Sequence, residues 1–73
     1  MAPMGRYIIE AQAFNEIWVK VSERSLLLDA CTVAEIYSYD NPVRLYRIRG
    51  RHAITFESVC YYFKRGHQVF LCL

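Results

Sequence analysis

The sequence predicts a single small α+β domain, residues 1–73, in which helices pack on one face of a sheet. Apolar and polar residues alternate in several short segments, which indicates strands, while one segment near the middle has helical spacing. Apolar residues make up 55% of the chain, enough for a thin core in a domain of this size. We expect an antiparallel or mixed sheet with strands at about 6–13, 17–22, 43–49 and 68–73, a long helix at about 25–39 and a second helix at about 55–65.

The first two predicted strands lie close together in the sequence. Tyr7, Ile9 and Ala11 share one face of the first strand, and the second strand begins after a short polar break. Trp18 and Lys20 fall on the same face of the second strand. Because only a few residues separate the two strands, we expect them to form a hairpin, with Trp18 covering part of the sheet.

The long predicted helix follows this hairpin. Ser22 or Ser25 can cap its N-terminus, and Asp40, Asn41 and Pro42 form a stop signal. Its apolar residues recur at helical spacing: Leu26, Leu27, Ala30, Val33, Ala34 and Tyr37. Polar residues fall on its other faces: Asp29, Thr32, Glu35 and Ser38. The helix should therefore lie on the sheet with one apolar stripe.

The segment after the third predicted strand has two interpretations. We expect Gly50 to end that strand and Thr55 to begin a second helix, with Gly66 just past its end. This helix would present its apolar residues at helical spacing: Phe56, Val59, Cys60 and Phe63. The alternative makes residues 51–57 a fourth strand, paired in a hairpin with the third. Residues 68–73 then form an apolar strand, which suits a central position in the sheet.

Positive charge is concentrated in the second half of the chain and in its third strand. Through residue 40, three basic residues face six acidic ones, and from residue 41 six basic residues face Glu57 alone. Alternation puts Arg47, Arg49 and Arg51 on one side of the third strand. The segment 44–51 is therefore the most charged candidate surface of the molecule.

Guanidinium groups bind phosphates or carboxylates in a bidentate manner, and tyrosine rings offer stacking surfaces. We therefore expect a macromolecular partner, a protein or a nucleic acid, to meet Arg44, Tyr46, Arg47, Arg49, Arg51, His52, Lys64 and Arg65. A competing interpretation makes this face a solvated one whose arginines pair with acids of the first half, including Glu10 and Glu35. Self-association, for example as a homodimer, is a further alternative.

Catalytic and cofactor chemistry is not indicated by the sequence. The spacings of His52, Cys60, His67 and Cys72 match no paired zinc pattern, and the three glycines are isolated. We therefore expect no enzyme activity, no metal and no cofactor. Cys31, Cys60 and Cys72 have no framework spacing, so we expect buried free thiols. With no signal peptide and no apolar segment of membrane-spanning length, we expect a cytoplasmic protein that does not bind a membrane.

The order of features resembles small phage-encoded proteins of the anti-CRISPR type. The resemblance covers roughly residues 6–49 and rests on four segments: Tyr7-Ile8-Ile9-Glu10, residues 17–21, Ser25-Leu26-Leu27 and Tyr46-Arg47-Ile48. Such proteins act stoichiometrically by covering a surface of a host defence complex, which would here be a nucleoprotein complex. The resemblance implies a non-catalytic inhibitor that binds protein. The alternatives are a nucleic-acid-binding regulator using residues 44–51 and a homo-oligomeric structural or adaptor protein.

Overall fold

One sheet and one helix make up the described part of the chain. The computed structural model describes residues 5–52, 54–56 and 58–70. Its elements are, in chain order, β1 Gly5–Gln12, β2 Trp18–Arg24, α1 Leu27–Asp40, β3 Tyr46–His52, β4 Ser58–Lys64 and β5 His67–Val69. The strands form a five-stranded antiparallel sheet in the order β2-β1-β3-β4-β5, and α1 packs on one face of it. No helix in the described ranges is long and apolar enough to cross a membrane.

The core lies between α1 and the two central strands, β1 and β3. These strands pair with Ile9 opposite Ile48, and both side chains are completely buried. Ala30 and Ala34 of α1 are also fully buried, because small side chains let the helix approach the sheet closely. Phe63 of β4 completes the centre of the core. The face of the sheet that α1 covers is therefore apolar and closely packed, and we call it the covered face.

The predicted β1–β2 hairpin and the long helix are confirmed, but the helix starts and is capped differently from what we expected. α1 begins at Leu27, and its N-cap residue, Leu26, makes no side-chain capping hydrogen bond, so neither Ser22 nor Ser25 caps it. Ser38, which we expected on another face, is fully buried. Its hydroxyl donates to the carbonyl of Glu35 and accepts from the amide of Gly66, thereby joining the end of α1 to the β4–β5 turn.

The prediction of a second helix at about 55–65 is wrong, because residues 58–64 form strand β4, which pairs antiparallel with β3. The apolar residues of this segment fit both periods, and its aromatic and β-branched content favours a strand. Pairing with β4 also satisfies the backbone groups of β3, which a helix would have left at an edge. The alternative of a β3–β4 hairpin is thus right in kind, although its fourth strand lies later than residues 51–57. Arg65 and Gly66, both with positive φ, form the tight turn into β5.

Two further expectations about the strands are corrected. β3 runs from Tyr46 to His52 and passes through Gly50, which does not end it. The ring of Tyr7 packs where a Cβ of Gly50 would lie, so glycine is required inside this strand. β5 is short and lies at the edge of the sheet, so the predicted central position is wrong; residues 71–73, including Cys72, lie outside the described residues.

Candidate functional site

The candidate site is the face of the sheet opposite α1, which we call the outer face. No described element covers it, since α1 packs only on the other side. Alternation and strand register place the following charged residues there: Arg6, Glu10, Lys20, Glu23, Arg47, Arg49, Arg51 and Lys64. Six of these are basic and two acidic, so the described outer face has a net charge of +4. Other sheet positions on this face are occupied by Ile8, Gln12, Trp18, Ser58, Cys60, Tyr62, His67 and Val69.

Glu10 of β1 is the acidic centre of the outer face, and two arginines of β3 hold it. Arg47 Nε and Arg49 Nε donate to Glu10 Oε1 over 2.8 and 2.7 Å, and Arg49 Nη2 donates to Oε2 over 3.3 Å. Only 9% of the Glu10 side chain is exposed. Burial by itself raises the pKa of this carboxyl, but the hydrogen bonds and charges of Arg49 and Arg47 outweigh it and hold the pKa below its ordinary value. Glu10 is therefore a charged, fully partnered carboxylate.

The ring of Trp18 covers Arg47 on its other side. The Arg47 guanidinium carbon lies 4.0 Å from the centroid of the Trp18 ring, within cation–π range. The Trp18 and Tyr62 rings are 6.2 Å apart at a tilt of 58°. Only 18% of the Arg47 side chain is exposed, because it lies between Glu10 and Trp18. Arg47 therefore stabilises the outer face, and its guanidinium is less accessible to a partner than that of an exposed arginine.

A groove lies toward the β1 start and β3 end of the outer face. It has a volume of about 590 Å³, and arginines from two strands line it: Arg6, Arg49 and Arg51. Ile8 forms an apolar part of the lining, and Ser58 brings a hydroxyl-bearing residue from β4. Hydrogen bonding to Glu10 raises the pKa of Arg49 further, so this guanidinium stays charged. The groove is thus a cationic surface with an apolar component.

Of the residues predicted to meet a partner, four lie on the outer face. Arg49 and Arg51 line the groove, Arg47 lies beneath Trp18, and Lys64 extends the face along β4. The predicted grouping of Arg47, Arg49 and Arg51 on one side of the strand is therefore confirmed.

The other four predicted residues lie elsewhere. Tyr46 is only 2% exposed and stacks on Tyr37 of α1, so it belongs to the core and is not available to a partner. Arg44 precedes β3 with its guanidinium over the Phe14 ring. His52 Nδ1 accepts hydrogen bonds from the backbone amides of residues 54 and 55, and Arg65 lies in the β4–β5 turn.

Several residues of the outer face were not among the predicted ones. Arg6 has a recognisable signal, since it shares the polar side of the first strand with Glu10. Tyr62 has no such signal in the sequence, because it lies in the segment that we expected to be helical. Cys60, expected to be a buried thiol, is exposed here, whereas Cys31 is half-buried and burial raises the pKa of its thiol. Among the described residues, no cluster of three or more His, Cys, Asp or Glu side chains is arranged to hold a metal ion.

The competing interpretation expected acids of the first half of the chain to pair with the arginines of the basic strand. Glu10 does so, since it forms ion pairs with Arg47 and Arg49. Glu35, the second acid named there, lies on α1 and makes no ion pair with another described residue. The neutralisation is thus partial. No protein-family model, curated protein or solved structure was found to match this chain.

Proposed function

We propose that this protein is a non-catalytic binding protein whose outer face binds an acidic surface of a partner protein. The observation that carries the proposal is the charge of that face: it is uncovered and retains a net charge of +4 after Glu10 and Glu23 are counted. A surface of this kind attracts an acidic partner and orients it during association.

Two arginines of the groove are held in place before any partner arrives. Arg49 is hydrogen-bonded to Glu10, and Arg6 is hydrogen-bonded to Glu23 over 3.1 Å. Side chains that are already ordered lose less conformational entropy on binding. Glu10 and Glu23 therefore support binding by fixing guanidinium positions, although they reduce the total charge.

Two observations favour a protein partner over a nucleic acid. The whole chain carries a net charge of only +2, which is low for a dedicated nucleic-acid-binding protein. The Trp18 ring lies on Arg47 and beside the Tyr62 ring, whereas sheets that bind single strands usually present separate rings to successive bases. The presence of these rings among arginines nevertheless makes single-stranded nucleic acid the second candidate.

The most specific form of the proposal is an inhibitor that covers a surface of a host defence complex, as anti-CRISPR proteins do. Its support is the small size and the strand-strand-helix-strand order, together with an uncovered binding face. A stoichiometric inhibitor needs a stable surface and no catalytic pocket, which suits the thin core of a chain of this length.

The test compares binding of an acidic peptide, a single-stranded oligonucleotide and a double-stranded oligonucleotide at low salt. Trp18 is the single tryptophan of the chain and lies on the outer face, so its fluorescence reports binding there. We expect the acidic peptide to bind, and the double variant Arg49→Gln/Arg51→Gln to weaken binding by about tenfold or more.

The matched control is Arg24→Gln/Arg65→Gln, which removes the same charge from exposed positions away from the groove. We expect it to change the affinity by less than about threefold. Tighter binding of an oligonucleotide with a steep loss on adding salt would favour the second candidate. Failure of all three ligands to bind, or equal losses in both double variants, would contradict the proposal.

A further inference from the structure

The groove of the outer face contains an arrangement of charge that the fold itself does not require. Arg6 of β1 and Arg51 of β3 lie directly opposite each other across the strand pair, and Arg49 is the next residue of β3 on the same face. Like charges in directly opposite cross-strand positions destabilise a sheet. The fold therefore tolerates an unfavourable pair at this point, where a ligand of opposite charge would relieve it.

Among the described residues, the acids of the outer face form ion pairs with two of these arginines and not with the third. Glu23 accepts from Arg6, and Glu10 accepts from Arg49. Within the described residues, no ion pair forms at Arg51, which is exposed. Counting the ion pairs of the described residues, the groove thus holds one guanidinium without a carboxylate partner beside two others that are hydrogen-bonded to carboxylates.

The backbone beneath these arginines is held from the other side. The Tyr7 ring packs against Gly50 on the covered face, and Gly50 lies between Arg49 and Arg51 in β3. Ser58 of β4 lies opposite Arg51 and adds a hydroxyl donor to the same region. Rigid backbone below and ordered side chains above make a preorganised anion site.

We propose that the groove binds a phosphate monoester carried by a side chain of the partner protein. This deepens and rests on the proposed function, since it names the group that would anchor an acidic partner on the outer face. Guanidinium groups match phosphate oxygens in a bidentate manner, and a monoester concentrates about two negative charges at one point near neutral pH.

The shape of the groove favours this group over a bare carboxylate or a phosphodiester chain. Its three arginines are neighbours on two adjacent strands, with Arg6 opposite Arg51 and Arg49 two residues along β3, so they form a compact cluster. Its volume of about 590 Å³ and the apolar Ile8 leave room for the carbon stem that carries the phosphate. An aryl phosphate, such as that of phosphotyrosine, would bury its ring against Ile8.

The test is an NMR titration of the full chain with phenyl phosphate, which follows the Nε–Hε signals of the arginines. We expect saturable shifts at Arg49 and Arg51 and a dissociation constant in the millimolar range, on the order of 1 mM, as suits a small fragment. Arg51→Gln should weaken binding about tenfold or more, Arg51→Lys less, because lysine keeps the charge and loses the fork. Arg65→Gln, with the same loss of charge in the turn, should change binding less than about twofold.

Binding should also strengthen between about pH 5 and pH 7.5, because the phosphate gains its second charge near pH 6 while the guanidiniums stay charged. No saturable shift, or equal weakening by Arg51→Gln and Arg65→Gln, would overturn the phosphate site. Tighter binding of a 5′-phosphorylated oligothymidylate than of a phosphotyrosine peptide would also overturn it.

An unphosphorylated glutamate-rich peptide separates this proposal from the proposed function. If that peptide binds the outer face while phenyl phosphate does not, the phosphate site fails and the proposed function stands. If phenyl phosphate binds and neither the glutamate-rich peptide nor the phosphotyrosine peptide does, the groove is an anion site without the proposed protein partner.

Discussion

The two faces of the sheet are built from the same strands and differ in nearly everything else. On the covered face, Ile9 and Ile48 meet across β1 and β3 without any exposure. At the adjacent position of the strand pair, Glu10 and Arg47 meet on the outer face as an ion pair. Alternate residues of one strand pair thus serve a dry core and a charged surface.

The difference shows which interactions each face depends on. The covered face is stabilised by burial of apolar area, which does not respond to pH and responds little to salt. The outer face is organised by charges around Glu10 and by the ring of Trp18, so it responds to both pH and ionic strength. Changes on the covered face should therefore alter stability, whereas most changes on the outer face should alter binding.

The largest expected effect is on the covered face, at Ile48. Its side chain is fully buried between the central strands and α1, so Ile48→Ala leaves a cavity and should lower the free energy of unfolding by about 3 kcal/mol. Urea unfolding followed by circular dichroism measures this loss. Val43→Ala is the control, since Val43 is 88% exposed, and should cost less than about 0.5 kcal/mol. A similar effect of the two variants would contradict the assignment of the core.

An intermediate effect is expected at Glu10, where the outer face contributes to stability. Glu10→Gln removes the acceptor charge that Arg47 and Arg49 share, and we expect it to cost about 2 kcal/mol at pH 7. Because the folded-state pKa of Glu10 is depressed, the stabilisation is present above the unfolded-state value and is lost as pH falls through the folded-state pKa. The difference between wild type and variant should therefore shrink as pH falls below the unfolded-state pKa, about 4.3 for a glutamate.

Urea unfolding at several pH values measures this difference. Glu16→Gln is the control, because Glu16 is exposed in the β1–β2 turn and makes no ion pair with another described residue. A Glu10→Gln cost that stays constant across this pH range would show that the carboxylate charge is not what stabilises the outer face.

The smallest expected effect on stability is at Arg51. Arg51→Gln removes one member of the like-charged pair with Arg6, so the free energy of unfolding should stay within about 0.5 kcal/mol of wild type or rise slightly. Arg47→Gln is the matched comparison, and it should cost more, since Arg47 is half-enclosed by Glu10 and Trp18. An Arg51→Gln variant as destabilised as Arg47→Gln would remove the distinction between arginines that hold the face together and an arginine that is free to bind.

Much of the fold could be predicted because its signals are local. The alternation of Tyr7, Ile9 and Ala11, and the helical spacing around Ala30 and Ala34, correctly indicated which side chains are buried. The segment 58–64 could not be assigned in this way, because a nearly continuous apolar run carries no clear period. Gly50 was misjudged for a related reason: its role is to make room for Tyr7, which lies more than forty residues earlier in the chain.

For the candidate site, too, local sequence predicted one part and the tertiary structure decided the rest. The sequence by itself determined that Arg47, Arg49 and Arg51 share a face, because strand periodicity depends only on neighbouring residues. Only the tertiary structure decided which of them is neutralised. β3 pairs with β1 in the register that places Glu10 opposite Arg47, 37 residues away in the chain, and it leaves Arg51 opposite another arginine. Register between distant strands depends on which pairing buries the apolar sides of both strands against α1, so the sequence around either strand alone does not determine it.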